Sequence, residues 1–91
     1  MTARLDLPVR LDTEAAETLK QQLLAHQGQD VELGGSGVEH LGALCLQVLV
    51  SASKTWGAAD RKLSWDGVSE ALKEQLGLYG FSPETVLGAA T

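Results

Sequence analysis

The segment from Ala43 to Trp56 constrains the fold more than any other part of the chain, because its spacing predicts an unusually apolar helix. Its few polar residues fall on one narrow stripe: Gln47, Ser51, Lys54 and Thr55. The other faces are apolar, and a helix that is apolar nearly all round is buried. We therefore expect this helix to lie between a sheet and at least one other helix.

The first part of the chain is typical of a strand followed by a helix. Residues 3–11 alternate loosely between apolar and polar, and Pro8 interrupts them because it has no backbone N–H. Asp12 or Thr13 is a suitable cap for a helix that Gly28 would end. One face of that helix carries the apolar residues Ala16, Leu19 and Leu23, with Leu24 beside them.

Two further strands are predicted later in the chain. Val31 and Leu33 indicate a short buried strand. Lys62–Trp65 has the pattern of another, bounded by Asp66 and Gly67.

Three helices alternate with or follow these strands. The apolar helix is expected to end at Gly57, and a third helix is predicted from Val68 to Tyr79, ended by Gly80. Residues 83–89 should form a short terminal helix, because a serine cap precedes a proline at its first position. Strands that alternate with helices imply crossover connections and a largely parallel central sheet.

Length and charge exclude several classes of protein. Ninety-one residues predict a single domain, residues 1–91. The net charge of -5 argues against a nucleic-acid binder, which needs a basic surface. The longest apolar run, Leu41–Val50, is too short to span a bilayer, and the N-terminus lacks a signal-peptide core. We expect a cytoplasmic protein without direct membrane insertion.

The reactive residue types do not form a recognisable catalytic or metal-binding pattern. Cys45 lies in the middle of the apolar helix, where a cysteine is usually a small core residue. His26 and His40 stand alone, without a neighbouring ligand at metal-binding spacing. We therefore expect no catalysis, no metal and no cofactor.

The glycine-rich segment Gly34–Gly37 has two interpretations. Its N–H groups could cradle a phosphate, so a nucleotide or a small ligand is one possible occupant. It lacks the Gly-Lys-Ser/Thr ending of a P-loop, and no helix is predicted directly after it. A turn that leaves a buried strand is the alternative.

Several short motifs, in order, resemble the STAS domain of anti-sigma-factor antagonists. These are Leu11-Asp12, Ser36-Gly37-Val38, Leu46-Gln47-Val48-Leu49 and the ending Leu76–Gly80. The resemblance covers nearly the whole chain. It implies an α/β fold with a four-stranded mixed central sheet and about four helices packed on it.

The switch segment of that family is altered in this chain. Where the family has Asp-Ser-Ser-Gly at the helix opening, this chain has Gly42, Ala43, Leu44 and Cys45. The position that the family phosphorylates matches Leu44, which has no hydroxyl. Leu44 either shares the exposed polar face of the helix or folds inward as core. If it is exposed, the predicted partner-binding residues are Leu41, Gly42, Leu44, Gln47 and Ser51.

The resemblance implies a non-enzymatic domain that docks to a protein partner. The helix opening is similar to that of small bacterial STAS proteins accompanying chemotaxis kinases, which suggests a histidine-kinase-type ATPase as the partner. One alternative is a small STAS subunit of a lipid-transport ABC complex. The other is a nucleotide or small-ligand binder that uses the glycine turn. The sequence leaves the oligomeric state open.

Overall fold

Strands and helices alternate along residues 2–88, which are the residues that the computed structural model describes. The strands are β1 (Thr2–Asp6), β2 (Arg10–Leu11), β3 (Asp30–Gly35), β4 (His40–Leu41) and β5 (Leu63–Val68). The helices are α1 (Thr13–Ala25), α2 (Ala43–Ala58), α3 (Glu70–Leu78) and α4 (Pro83–Gly88). Residue 89, which was expected in the last helix, lies outside the described residues.

The predicted four-stranded mixed sheet is wrong in strand number and in direction. Within residues 2–88, β1, β3 and β5 form a three-stranded sheet in that order, and every pairing is parallel. β2 and β4 form a separate parallel ladder of two residues each. Pro8 lies between two N-terminal strands, as its interruption of residues 3–11 predicts: β1 joins the three-stranded sheet, and Arg10 and Leu11 of β2 pair with β4.

The two faces of the three-stranded sheet have opposite character. The connections β1–α1–β3 and β3–α2–β5 step in the same direction, so right-handed crossovers place α1 and α2 on one face. Val31 and Leu33 point to that face and are fully buried. On the other face, Arg4 of β1 forms an ion pair with Asp66 of β5. The Arg4 side chain passes over Gly34 of β3 to reach Asp66. A Cβ at position 34 would lie 2.7 Å from Arg4 Nη2, so the glycine makes room for the arginine.

Helix α2 is the centre of the core, as its composition predicts. Its buried residues are Cys45, Leu46, Leu49, Ala52, Ser53 and Trp56. The sheet lies under the helix and α1 lies beside it. On another side, the Ser53 hydroxyl donates a hydrogen bond of 2.8 Å to the backbone oxygen of Leu87 in α4.

Two predicted helix boundaries are wrong. Helix α2 continues past Gly57 because its terminating left-handed residue is Asp60, with φ of 57°. The N–H of Asp60 bonds to Gly57 O at 3.1 Å and that of Arg61 to Trp56 O at 2.9 Å, the pattern of a Schellman motif. Helix α3 starts at Glu70, after a Ser69 cap, because the preceding valine is still part of β5.

Replacing the core leucine of α2 should destabilise the fold strongly. Leu49 has no exposed surface, so Leu49→Ala should lower the free energy of unfolding by about 2–5 kcal/mol through lost burial and a new cavity. The control is Leu78→Ala, since Leu78 is 85% exposed and its truncation should change stability by less than about 0.5 kcal/mol. Urea unfolding of both variants measures the difference, and equal effects would contradict the described packing of α2.

Replacing the left-handed residue after α2 should stabilise the fold. A side chain in this conformation costs free energy that glycine avoids, and α3 ends with Gly80 at φ of 84°. Asp60→Gly should therefore raise the free energy of unfolding by about 0.5–1 kcal/mol. Ala59→Gly is the control. Ala59 has φ of -88°, which any residue adopts, so a glycine there only increases the conformational entropy of the unfolded chain. It should lose stability, and a matching loss for Asp60→Gly would disprove the argument.

Candidate functional site

The start of α2 is held against β2 by the backbone of Gly42. The N–H of Gly42 donates to the oxygen of Leu11 at 2.7 Å, and the N–H of Leu46 donates to the oxygen of Gly42. A Cβ on Gly42 would lie 3.1 Å from that same Leu11 oxygen, so glycine permits the close approach. Gly42 supplies no side-chain cap, and the first turn has no acidic residue. The helix opening therefore presents free backbone N–H groups and a leucine.

Four of the five predicted contact residues are accessible at this helix opening. The Leu44 side chain is 46% exposed, so it does not fold into the core. Gln47 and Ser51 are also exposed, and Gly42 is half-buried. Leu41 is the exception, with 2% exposure. Its strand pairs with β2, which turns its side chain into the core, so Leu41 is not available for direct contact with a partner.

Three of the four accessible residues lie along a groove between α1 and α2. This groove has a volume of about 590 Å³, and Leu44, Gln47 and Ser51 contribute to one wall. The opposite wall belongs to α1 and includes Lys20 and Leu24. The groove is the feature that brings the predicted residues of α2 together with residues of α1.

Leu24 is a groove residue that the sequence interpretation placed near the core-facing side of α1. The structure leaves it 55% exposed, whereas Leu23 is 3% exposed. Adjacent residues are about 100° apart around a helix, so Leu24 lies at the edge of the stripe that Ala16, Leu19 and Leu23 form. That spacing is the signal by which Leu24 could have been identified.

Cys45 is packed as a core residue at the inner side of the helix opening. It has no exposed surface, and its thiol donates to the backbone oxygen of Asp12 over 3.3 Å. Burial raises the pKa of the Cys45 thiol, and the nearby Asp12 carboxylate raises it further. The thiol is therefore held neutral, which makes it a poor nucleophile. Within residues 2–88, no group of three or more His, Cys, Asp or Glu side chains could hold a metal ion.

The glycine-rich turn connects three parts of the fold through its carbonyl groups. Gly34 O accepts from the N–H of Leu7 at 2.9 Å, and Gly35 O accepts from the N–H of Ser69 at 3.1 Å. Both glycines are buried. A Cβ on Gly35 would lie 3.0 Å from Leu72 Cδ2 and 3.0 Å from Gly67 O. These contacts give the turn a structural role that does not depend on a phosphate.

The order of strands and helices agrees with a comparison to known protein families. The family described as "Mlab, STAS domain" matches residues 1–87. The chain belongs to this STAS family. The match confirms the resemblance drawn from the short motifs, and STAS domains are generally non-catalytic binding or regulatory domains. No curated protein and no solved structure matches the chain.

The STAS domain shows no membrane-crossing helix in its described part. Among residues 2–88, no helix combines the length and the apolar character that a bilayer span requires. Even α2, the most apolar of these helices, has only 16 residues, which is too short for a bilayer span.

Two glycines of the turn should respond differently to the same substitution. In Gly35→Ala, the added methyl meets the Gly67 carbonyl and Leu72, so stability should fall by about 1–3 kcal/mol. In Gly37→Ala, the methyl meets nothing within 4 Å, so stability should stay equal or rise slightly. Thermal unfolding of both variants tests this, and an unchanged melting temperature for Gly35→Ala would refute the close packing at this glycine.

Proposed function

We propose that this STAS domain works by docking to a partner protein through the exposed start of α2. The docking site consists of Gly42, Leu44, Gln47 and Ser51. The observation that carries this proposal is the exposure of Leu44, at 46%, on the wall of the α1–α2 groove. An exposed leucine beside an apolar groove is a typical contact residue in a protein interface. Leu24 extends the apolar surface on the α1 side.

The docking site lacks the phosphorylation switch that the family resemblance implies at this position. Phosphate near a docking surface disrupts binding through its charge and its desolvation cost. Residues 42–45 contain no hydroxyl group, so no kinase can place a phosphate there. At this position the domain therefore corresponds to an unphosphorylated, binding-competent STAS domain. Regulation of the complex then depends on the partner or on other residues.

The proposed partner is a histidine-kinase-type ATPase, in a bacterial chemotaxis pathway. This assignment is supported by the similarity of the helix opening, Leu44–Leu49, to that of small STAS proteins which accompany chemotaxis kinases. The proposed role is non-enzymatic, because the one cysteine of the chain is a buried neutral thiol. A cytoplasmic location follows from this kind of partner.

A small subunit in a lipid-transport ABC complex is the second candidate. It is supported by the same exposed face, which would then contact the transport ATPase. The two candidates differ in the protein that binds, so purified kinase and transporter ATPases, tested side by side against this domain, distinguish them.

Substitution of the exposed leucine by aspartate should separate folding from binding. Leu44 is in the first turn of α2, where a carboxylate interacts favourably with the positive end of the helix dipole. Leu44→Asp should therefore leave the stability within about 0.5 kcal/mol of wild type. It should weaken binding to the kinase about tenfold or more, because a carboxylate would be buried without a partner in the interface. Calorimetry and thermal melting on the same preparation measure both quantities.

The matched control changes an exposed leucine that lies outside the groove. Leu78→Asp, in α3, introduces the same charge at a position that is 85% exposed. It should leave kinase binding unchanged and lower the stability by about 0.3–1 kcal/mol, because Leu78 is the last residue of α3 and a carboxylate there meets the negative end of the helix dipole. A stable Leu44→Asp protein with wild-type affinity would show that this face is not the docking surface.

A further inference from the structure

A second cavity lies on a different side of α2, where the C-terminal half of this helix meets β5 and α4. Its volume is about 380 Å³, within the range of small-molecule sites. None of the proposed docking residues contributes to its walls. The residues that matter for its chemistry are Trp56, Arg61, Lys62, Trp65, Glu84 and Leu87.

The apolar walls of this cavity include the only two tryptophans of the chain. The indole N–H of Trp56 donates to the backbone oxygen of Gln29 at 2.7 Å. That of Trp65 donates to the backbone oxygen of Pro83 at 2.8 Å. Each ring is thus fixed by a hydrogen bond at its polar edge, and little conformational freedom is lost when a ligand arrives. Fixed, flat, apolar walls suit a planar aromatic molecule.

The charged residues of the cavity favour an anion. Arg61 and Lys62 line the cavity, and both lie at the turn that ends α2. The ion pairs within residues 2–88 use Arg4, Arg10 and Lys73, so Arg61 and Lys62 have no carboxylate partner there. Glu84 is the one acidic residue among the lining residues. Two cations and one carboxylate therefore line the cavity, and the nearby Asp30 carboxylate accepts a hydrogen bond of 2.9 Å from the backbone N–H of Lys62.

We propose that this cavity binds a planar aromatic carboxylate. Its ring lies against the indoles of Trp56 and Trp65, and its carboxylate faces Arg61 and Lys62. The arginine side chain can donate two parallel hydrogen bonds to a carboxylate, while the lysine adds a point charge. This site is independent of the α2 docking site, so failure of either proposal leaves the other in place.

The test uses 1-naphthoate, followed by amide NMR on the isotope-labelled protein. Both indole N–H signals should shift in a saturable manner, together with the amides of β5 and of Arg61. Two probes of similar shape complete the set, the neutral 1-naphthalenemethanol and the cationic 1-naphthylmethylammonium. They should bind more weakly than the carboxylate, the neutral one by about tenfold, because neither carries the negative charge and the two acceptor oxygens that pair with the cations.

Paired charge variants test the role of the two cations. Arg61→Gln/Lys62→Gln should weaken 1-naphthoate binding about tenfold or more and leave binding of the neutral probe unchanged. Lys54→Gln/Lys73→Gln removes the same total charge at residues that line neither this cavity nor the α1–α2 groove, and should leave both unchanged. The proposal is overturned if 1-naphthoate causes no saturable shift at about 10 mM, a limit corresponding to very weak binding. Shifts confined to the α1–α2 groove, equal affinity for all three probes, or equal effects of the two double variants would also overturn it.

Discussion

The burial of α2 is the constraint on which the rest of the structure depends. A helix with Cys45, Leu46, Leu49 and Trp56 on its buried faces cannot be covered by a single neighbour. The sheet covers one side, α1 a second and α4 a third. The stripe that begins at Leu44 remains exposed. The docking site and the second cavity both follow from this arrangement, because each lies where coverage of α2 by its neighbours is incomplete.

The sequence predicts the helices better than the strand pairing. The four helices of the described region have clear apolar periodicity or caps, and their positions are close to those predicted. The parallel ladder of β2 and β4 is only two residues long, and a segment so short carries no periodicity. Leu41 is consequently predicted as a partner-binding residue, although strand pairing carries it into the core. The C-terminal end of α2 also differs from the prediction, since an aspartate takes the left-handed position that glycine usually occupies.

In the candidate site, too, some features follow from the sequence pattern and others depend on tertiary packing. Helical spacing alone placed Leu44 on the same face as Gln47 and Ser51, and all three are exposed. The groove beside them depends on how closely α1 approaches α2, which no local pattern contains. The second cavity is harder to predict, because Trp56 and Arg61 at the end of α2 meet Trp65 of β5 and Glu84 of α4 only in the tertiary structure. The family match identifies the fold, whereas these surfaces depend on side chains particular to this chain.

The parallel pairing of the sheet has a consequence for how the chain folds. Thr2 pairs with Asp30, and Val31 pairs with Leu63, so no two strands of this sheet are joined by a tight hairpin. Each pairing requires closure of a loop that contains a whole helix, and the entropy of that closure is lost before the contacts form. Chains dominated by such distant contacts fold more slowly than helical bundles of equal length. Because β3 pairs with both β1 and β5, both loop closures of this sheet require β3 to be in place.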